Sequence, residues 1–204
     1  MPNEAGTYSA QTEQGMAMPE ARLQFTASHM PTPIGEMRLI TDERGIVRAL
    51  DWDDYTERME RLLIRQYGRE RVRLSEGPPP SALRARLDAY FAGDLHAIDE
   101  IAVETGGTPF QQEVWAALRL IPVGQTFSYG AQAAKIGRPA AVRAVGLANG
   151  ANPVGLIVPC HRVIGADGSL TGYGGGIERK RWLLRHEGAR FKDAAAQAEF
   201  SLPL

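Results

Sequence analysis

Apolar and polar positions change period along the chain, and the first stretch alternates. Residues 23–29, 36–41 and 46–52 read as short strands. Residues 30–35 form a turn between the first two, and the link over 42–45 ends in a hairpin glycine, Gly45. From residue 55 the spacing becomes helical, with Met59, Leu62, Leu63 and Tyr67 on one face. Residues 71–74 offer a further strand, and residues 80–91 a helix opened by Pro80 and Ser81. This half is a small α+β unit without a catalytic signature. Residues 1–21, small and polar without a period, read as a mobile extension.

The second half is mainly helical. Thr108 is a cap candidate for a helix over 109–120 that sets Phe110, Val114, Leu118 and Ile121 on one face. Residues 129–136 and 140–149 make two short helices around the break at Gly137, Arg138 and Pro139. They form either a helix-turn-helix or a plain helical hairpin. Ala140, Ala141, Ala144, Gly146 and Ala148 leave the second helix nearly bare around Arg143, which lets a bulky partner approach its backbone. Residues 154–158 are an apolar run of strand length, consistent with a buried strand that stops at Pro159, Cys160, His161 and Arg162. Residues 163–164 and 169–173 suggest a hairpin. The last helix, 177–187, offers Ile177, Trp182, Leu183 and Leu184 for burial and ends at Gly188. The expected fold class is α+β: a small N-terminal β-sheet and helix domain (22–105), then a mainly helical C-terminal domain (106–190) with a helix-turn-helix and the cysteine after a short strand. A tail covers 191–204.

Composition narrows the classes. The 204 residues, 44% hydrophobic and 23% charged, suit an ordinary globular protein of one domain or two small ones. No apolar run approaches the roughly 20 residues of a membrane helix, and the first twenty residues lack the apolar core of a secretory signal. The expected compartment is the cytoplasm, with no membrane partner. A single cysteine excludes a disulfide framework and a zinc site built from several thiolates, and the four histidines are dispersed, so no metal is expected. The net charge of −1 conceals an asymmetry. Residues 1–105 hold 12 Arg against 18 acids, whereas residues 106–190 hold ten Lys and Arg against four acids. Such polarity suits a second half that meets a polyanion, although halves often differ by a few charges.

Cys160 is the residue on which chemistry turns. Free cysteines are commonly inert core filler, but here His161 and Arg162 bring a base and a fixed positive charge next to the thiol in sequence. In a regular strand Cys160 and His161 would face opposite sides, so coupling needs a kink or a bridging water. Glu187 at the end of the last helix is a carboxylate available to orient His161. A cysteine hydrolase is a competing reading, but such enzymes use a histidine remote in sequence and an oxyanion hole that is not visible here. The run from Gly172 to Gly176 breaks the dinucleotide pattern at Ile177 and reads as a flexible loop edging a pocket. No cofactor motif is present, so no cofactor is expected.

The segment Ile157, Val158, Pro159, Cys160, His161, Arg162, Val163 resembles the O6-alkylguanine-DNA alkyltransferases. Arg143, Ala144, Val145 and Gly146 before it, and Gly172, Tyr173 and the run from Trp182 to Gly188 after it, extend the likeness over about 108–188. Residues 23–105 resemble the family only in arrangement. The resemblance implies a monomer that acts on double-stranded DNA containing O6-alkylguanine, with O4-alkylthymine as a second candidate lesion. It makes Cys160 the acceptor of the alkyl group, activated by His161 through a water and by Glu187. Asn152 is the family's hinge, and Tyr129 donates to the departing base. Arg143 fills the gap left by the extruded nucleotide, from a helix whose Ala144 and Gly146 lie close to the DNA. Pro159, Val163, Tyr173 and Gly174 border the pocket. At Gly174 some members carry a serine, which puts one side-chain contact in doubt. A regulator of the same fold without transfer activity is the remaining alternative, against which the cysteine itself stands.

Overall fold

The computed structural model describes residues 22–193. The extension expected over 1–21, and residues 194–204 of the expected tail, lie outside the described residues. Strands β1 (Leu23–Thr32), β2 (Gly35–Asp42), β3 (Val47–Trp52) and β4 (Val72–Glu76) form a sheet in the order β3-β2-β1-β4. β2 runs antiparallel to both neighbours, and β4 joins β1 in parallel after helix α1 (Thr56–Tyr67). β1 extends through most of the turn expected over 30–35, because Met30 pairs with Met37 and both are wholly buried. Pro31 is tolerated there because β4 pairs only with Leu23–Ala27, leaving β1 a neighbour on one side.

The period of two in the strands produces two apolar faces. Phe25, Ala27, Ile40 and Ala49 share one face and pack against Met59 and Leu63 of α1. Met30, Met37, Leu39, Leu50 and Trp52 share the other. This second face enters a core that also holds Leu87 and Tyr90 of α2 (Ser81–Phe91) and Val114, Trp115 and Leu118 of α3 (Pro109–Leu118). The same core includes Val154, Leu156, Ile157 and Val158, next to the cysteine.

Helix α3 starts in a capping box, with Thr108 and Gln111 bonding each other's backbone N–H groups. Ser128 caps α4 (Tyr129–Lys135), and Gly137, at φ 70, ends it before α5 (Val142–Gly150). The pair is a helix-turn-helix braced inside by Gln132 and Asn149, whose side-chain amides bond reciprocally at 2.7 and 3.3 Å. Trp115 Nε1 donates to the Ala148 carbonyl at 2.8 Å and fixes α5 to α3. Helix α6 (Ile177–His186) closes the domain.

Two expectations fail here. Residues 154–158 are not a strand but a run of buried turns with a single bridge, Leu50 to Val154. Pro153 and Pro159 at its ends lack ladder donors, and Leu156, at φ 72, turns the backbone back. An apolar run reports burial, and burial alone does not make a strand. The second failure is the hairpin over 163–173. β6 (Val163–Ile164) instead pairs in parallel with β5 (Phe127–Ser128).

The edge of β3 grips the turns before the cysteine: Leu50 N–H donates to the Pro153 carbonyl at 2.9 Å, and Gly155 N–H to the Leu50 carbonyl at 3.0 Å. Arg58 of α1 adds a clamp. It forms an ion pair with Asp51, which is 4% exposed, and donates to the carbonyls of Gly150 at 2.8 Å and Asn152 at 3.1 Å. Removing the guanidinium would leave a buried carboxylate without its cation. Arg58→Leu is therefore expected to lower unfolding stability in urea by about 3–5 kcal/mol, and adding Asp51→Asn to recover part of it. A loss under about 1 kcal/mol would show that the pair does not hold the two segments together.

Candidate active site

After the buried turns the chain makes one 3-10 turn, Cys160–Arg162. This is the kink that a regular strand would not have supplied. It leaves Cys160 half-buried, while His161 and Arg162 enter the interior. Asn152 organises the approach. Its Nδ2 donates to the Val158 carbonyl at 2.8 Å and to Cys160 Sγ at 3.3 Å, and its Oδ1 accepts from Val154 N–H at 3.0 Å.

Glu187 follows α6 and is turned inward, with Gly188 at φ 69 ending the helix behind it. Its Oε1 accepts from Tyr90 Oη at 2.9 Å, His161 Nε2 at 3.1 Å and Arg162 Nη2 at 2.8 Å, and its Oε2 from Arg162 Nε at 2.8 Å. Since Nε2–H donates, the lone pair of the neutral imidazole lies on Nδ1. That atom is buried and has no hydrogen-bond partner. No direct bond joins it to Sγ.

The charges follow from burial. Burial pushes the His161 imidazole down, more than Glu187 pulls it up. Burial alone would raise the Glu187 carboxyl, but His161 and Arg162 hold it well below the usual carboxylate range. Burial pushes the Cys160 thiol up, partly opposed by the Asn152 hydrogen bond and by the positive Lys180 and Arg58. The resting site is a thiol beside a neutral base whose far side is held by a carboxylate.

The sequence placed Arg162 at the thiol. The structure turns it to Glu187 and to the Ile121 carbonyl, 2.6 Å from Nη1, because residues of a 3-10 turn diverge around its axis. Tyr90 has no local signal, as it arrives from 97 residues upstream. Lys180 had one: it lies on the apolar stripe of α6 with Ile177 and Leu184.

The remaining predicted residues divide into a surface and an interior group. Arg143 and Ala144 are exposed on α5 with Gly146 half-buried, and Arg143 has no charged partner among the described residues. A Cβ at Gly146 would meet the ring of Tyr129 at 3.7 Å, so that ring lies along α5. Pro159 and Val163 are buried. The ring of Tyr173 stands edge-on to His161 with centroids 6.3 Å apart. At Gly174 a Cβ would strike the Arg58 guanidinium at 2.6 Å, so this chain exchanges a side chain there for the clamp. The glycine loop, expected to be flexible, is pinned: Lys180 Nζ bonds the Thr171 carbonyl at 3.2 Å, and Gly175 leaves no room for a Cβ against Trp52.

Among the described residues, His29, Glu36 and Asp53 bring donor atoms within 4.8 Å of one another. All three are exposed, His29 and Glu36 on the N-terminal sheet and Asp53 directly after β3, and none belongs to the group around Cys160. No helix of the described residues is long and apolar enough to cross a membrane.

A helix-turn-helix that adjoins a cysteine, a buried imidazole and a carboxylate defines a DNA-binding protein built around one activatable thiol. The 6-O-methylguanine DNA methyltransferase DNA-binding domain matches residues 109–189, and the ribonuclease-like domain of the same proteins matches residues 27–105. The methylated-DNA–protein-cysteine methyltransferase of Salmonella typhimurium is 52% identical over 166 residues, 81% of this chain and 97% of the relative. That of Mycobacterium bovis is 59% identical over 116 residues, 55% of this chain and 70% of the relative. Among solved structures, Mycobacterium tuberculosis OGT in complex with DNA superposes with a TM-score of 0.66 at 43% identity, covering 80% of this chain and 92% of that one. The chain belongs to the 6-O-methylguanine DNA methyltransferase family.

The depressed His161 basicity has a measurable consequence. The native ring resists a proton that the unfolded chain accepts near 6.5. Its contribution to stability is complete above that pH and is lost as pH falls toward the native value. Glu187, also depressed, loses its contribution in the same direction at lower pH. In NMR titration the His161 ring should stay neutral through pH 6.5, and thermal stability should fall on acidification. A ring that protonates above 6.5 would contradict the buried neutral base.

Proposed function

We propose that the protein repairs double-stranded DNA by moving an alkyl group, methyl in the first instance, from O6 of guanine to Cys160. This is the activity of a methylated-DNA-[protein]-cysteine S-methyltransferase that works once. The observation that carries the reading is the neutral His161, held by Glu187 and adjoining a thiol held by Asn152, which lies two residues past a helix whose exposed Arg143 has no charged partner among the described residues. Residues 106–190 then form the DNA-binding and transfer part, and residues 22–105 the part that braces it. A reducing compartment such as the cytoplasm suits a function that needs a free thiol.

In the proposed step the thiol proton passes through a water to His161 Nδ1, whose buried, unpartnered lone pair suits that role. Glu187 stabilises the imidazolium that forms. The sulfur attacks the alkyl carbon in line, the S–C bond forms, and the C–O6 bond breaks with its electron pair passing to guanine. Tyr129 gives the base a proton, and unmodified guanine results. The thioether has no easy leaving path, and the chain has one cysteine, so no second thiol accepts the group. Intact mass after incubation with methylated duplex is expected to show one added methyl per chain, on Cys160, and none in Cys160→Ser. More than one guanine repaired per chain would refute the single transfer and return the cysteine-hydrolase reading.

The alkylated oxygen lies on the pairing edge of guanine, so the nucleotide must leave the stack before sulfur can reach it. Arg143, exposed on α5 between Val142 and Ala144 and with Leu147 also exposed, fills the gap from the minor groove, with Ala144 and Gly146 permitting close approach. Flipping costs a few kcal/mol, and each 1.36 kcal/mol is about tenfold in rate. Arg143→Ala should therefore slow repair of methylated duplex roughly ten- to a thousandfold, yet react with free O6-benzylguanine at close to the original rate. Equal slowing on both substrates would assign Arg143 to the fold or the pocket instead.

A further inference from the structure

Lys180 is wholly buried on the inward face of α6, yet the proposed transfer assigns it no proton. Its Nζ donates to the Val163 carbonyl at 2.6 Å and to the Thr171 carbonyl at 3.2 Å. Val163 lies on β6 and Thr171 on the loop that leads to Tyr173, the two segments that the proposed function sets around the base. A buried ammonium is retained only where hydrogen bonds compensate its lost hydration. Here they tie the two segments to one helix.

The side chain of Thr171 continues the connection outward. Its Oγ1 lies 3.0 Å from Tyr129 Oη, across 42 residues of sequence, and both groups are partly buried. A threonine hydroxyl and a phenol each have one proton to give and lone pairs to accept with. If the phenol donates to Thr171, its proton is engaged and points away from the base. If Thr171 donates, the phenol keeps its own proton for the base and is held at a fixed angle. Once that proton has left, the oxygen is a phenolate, and a hydrogen bond to an ionised acceptor is about twice as strong as a neutral one.

We infer that Thr171, anchored through its carbonyl by Lys180, is a positioning residue for Tyr129: its hydroxyl donates to the phenol oxygen and directs the single phenol proton at the departing guanine. The inference rests on the reading of Tyr129 as proton donor. In the step the Tyr129 O–H bond breaks and an N–H bond forms on guanine. The electron pair stays on the phenolate, which regains a proton from solvent. The same hydroxyl acts before and after, donating first to a phenol and then to a phenolate.

Thr171→Val keeps the side-chain shape and removes the donor, whereas Thr171→Ser keeps the donor and removes a methyl. The two are compared in the intact protein with either Tyr129 or Tyr129→Phe, by single-turnover transfer from saturating methylated duplex and by the Kd for that duplex. Thr171→Val is expected to slow transfer roughly tenfold with Kd little changed, and Thr171→Ser to restore most of the rate. In the Tyr129→Phe background, Thr171→Val should add no further slowing, because the group it positions is gone. Equal slowing in both backgrounds, or equal loss in the valine and serine variants, would make Thr171 packing only and overturn the inference. So would an unchanged rate in Thr171→Val while Tyr129→Phe is slow, an outcome that leaves Tyr129 as the donor. An unchanged rate in Tyr129→Phe would instead remove the donor reading, and the inference with it.

Discussion

The carboxylate of Glu187 is the constraint around which the second half is arranged. An ionised carboxylate taken out of water is costly unless its lone pairs are met by donors, and a half-met group is worse than an apolar one. Glu187 is 4% exposed and meets Arg162 with two bonds, Tyr90 with one and His161 with one. Each donor belongs to a different requirement. Tyr90 brings α2 from the N-terminal half, and Arg162, bonded also to the Ile121 carbonyl, fixes the segment after α3. His161 keeps its second nitrogen, Nδ1, buried and without a hydrogen-bond partner among the described residues. Satisfying one buried charge thus fixes the 3-10 turn that carries the cysteine.

The same burial governs reactivity. The dry surroundings that make the Glu187 network strong raise the Cys160 thiol and lower the His161 imidazole, so the proton stays on sulfur at rest. A protonated thiol is a poor nucleophile toward stray electrophiles. In the proposed relay, charge that develops on the imidazole as the sulfur attacks is met at once by a carboxylate already in place. A preorganised partner needs no rearrangement during the step. The lack of a ready-made thiolate is therefore consistent with reactivity that waits for the bound base.

Most of the helices were legible from their apolar period, and α4 and α5 from the glycine break between them. Cys160, His161 and Glu187 stood out by their chemistry and Asn152 only through the family resemblance; the structure places Asn152 on the thiol and Glu187 on His161. The segment 154–158 was not legible, because any fully buried backbone selects apolar side chains whatever its dihedrals. Arg162 was misjudged for a related reason, since adjacency in sequence says nothing about direction until the turn is known. Tyr90 and Arg58 reach the site from the other half of the chain and leave no mark beside the cysteine. The charge count was informative but too generous: of the ten cations in 106–190, Arg162 and Lys180 are buried, and Arg138, Arg179, Arg181 and Arg185 have acidic partners. The surface signal comes down to a few residues, with Arg143 exposed on α5 beside the exposed apolar Val142 and Leu147, so that helix is less bare than its alanines and glycine suggest.

Asn152 shows why both halves bear on one sulfur atom. It lies two residues past the end of α5, so whatever fixes it also relates the helix proposed to enter DNA to the thiol proposed to react. Arg58 holds its carbonyl, β3 holds the neighbouring Pro153, and its own side chain reaches Val158 and Cys160. A nucleotide pushed out by α5 would then arrive at a distance set by short hydrogen bonds rather than by a free loop. Displacement of a reacting atom by about 1 Å can cost a hundredfold in rate. On the proposed reading, the N-terminal sheet contributes by keeping that distance constant, through the bonds of β3 and Arg58 to this segment.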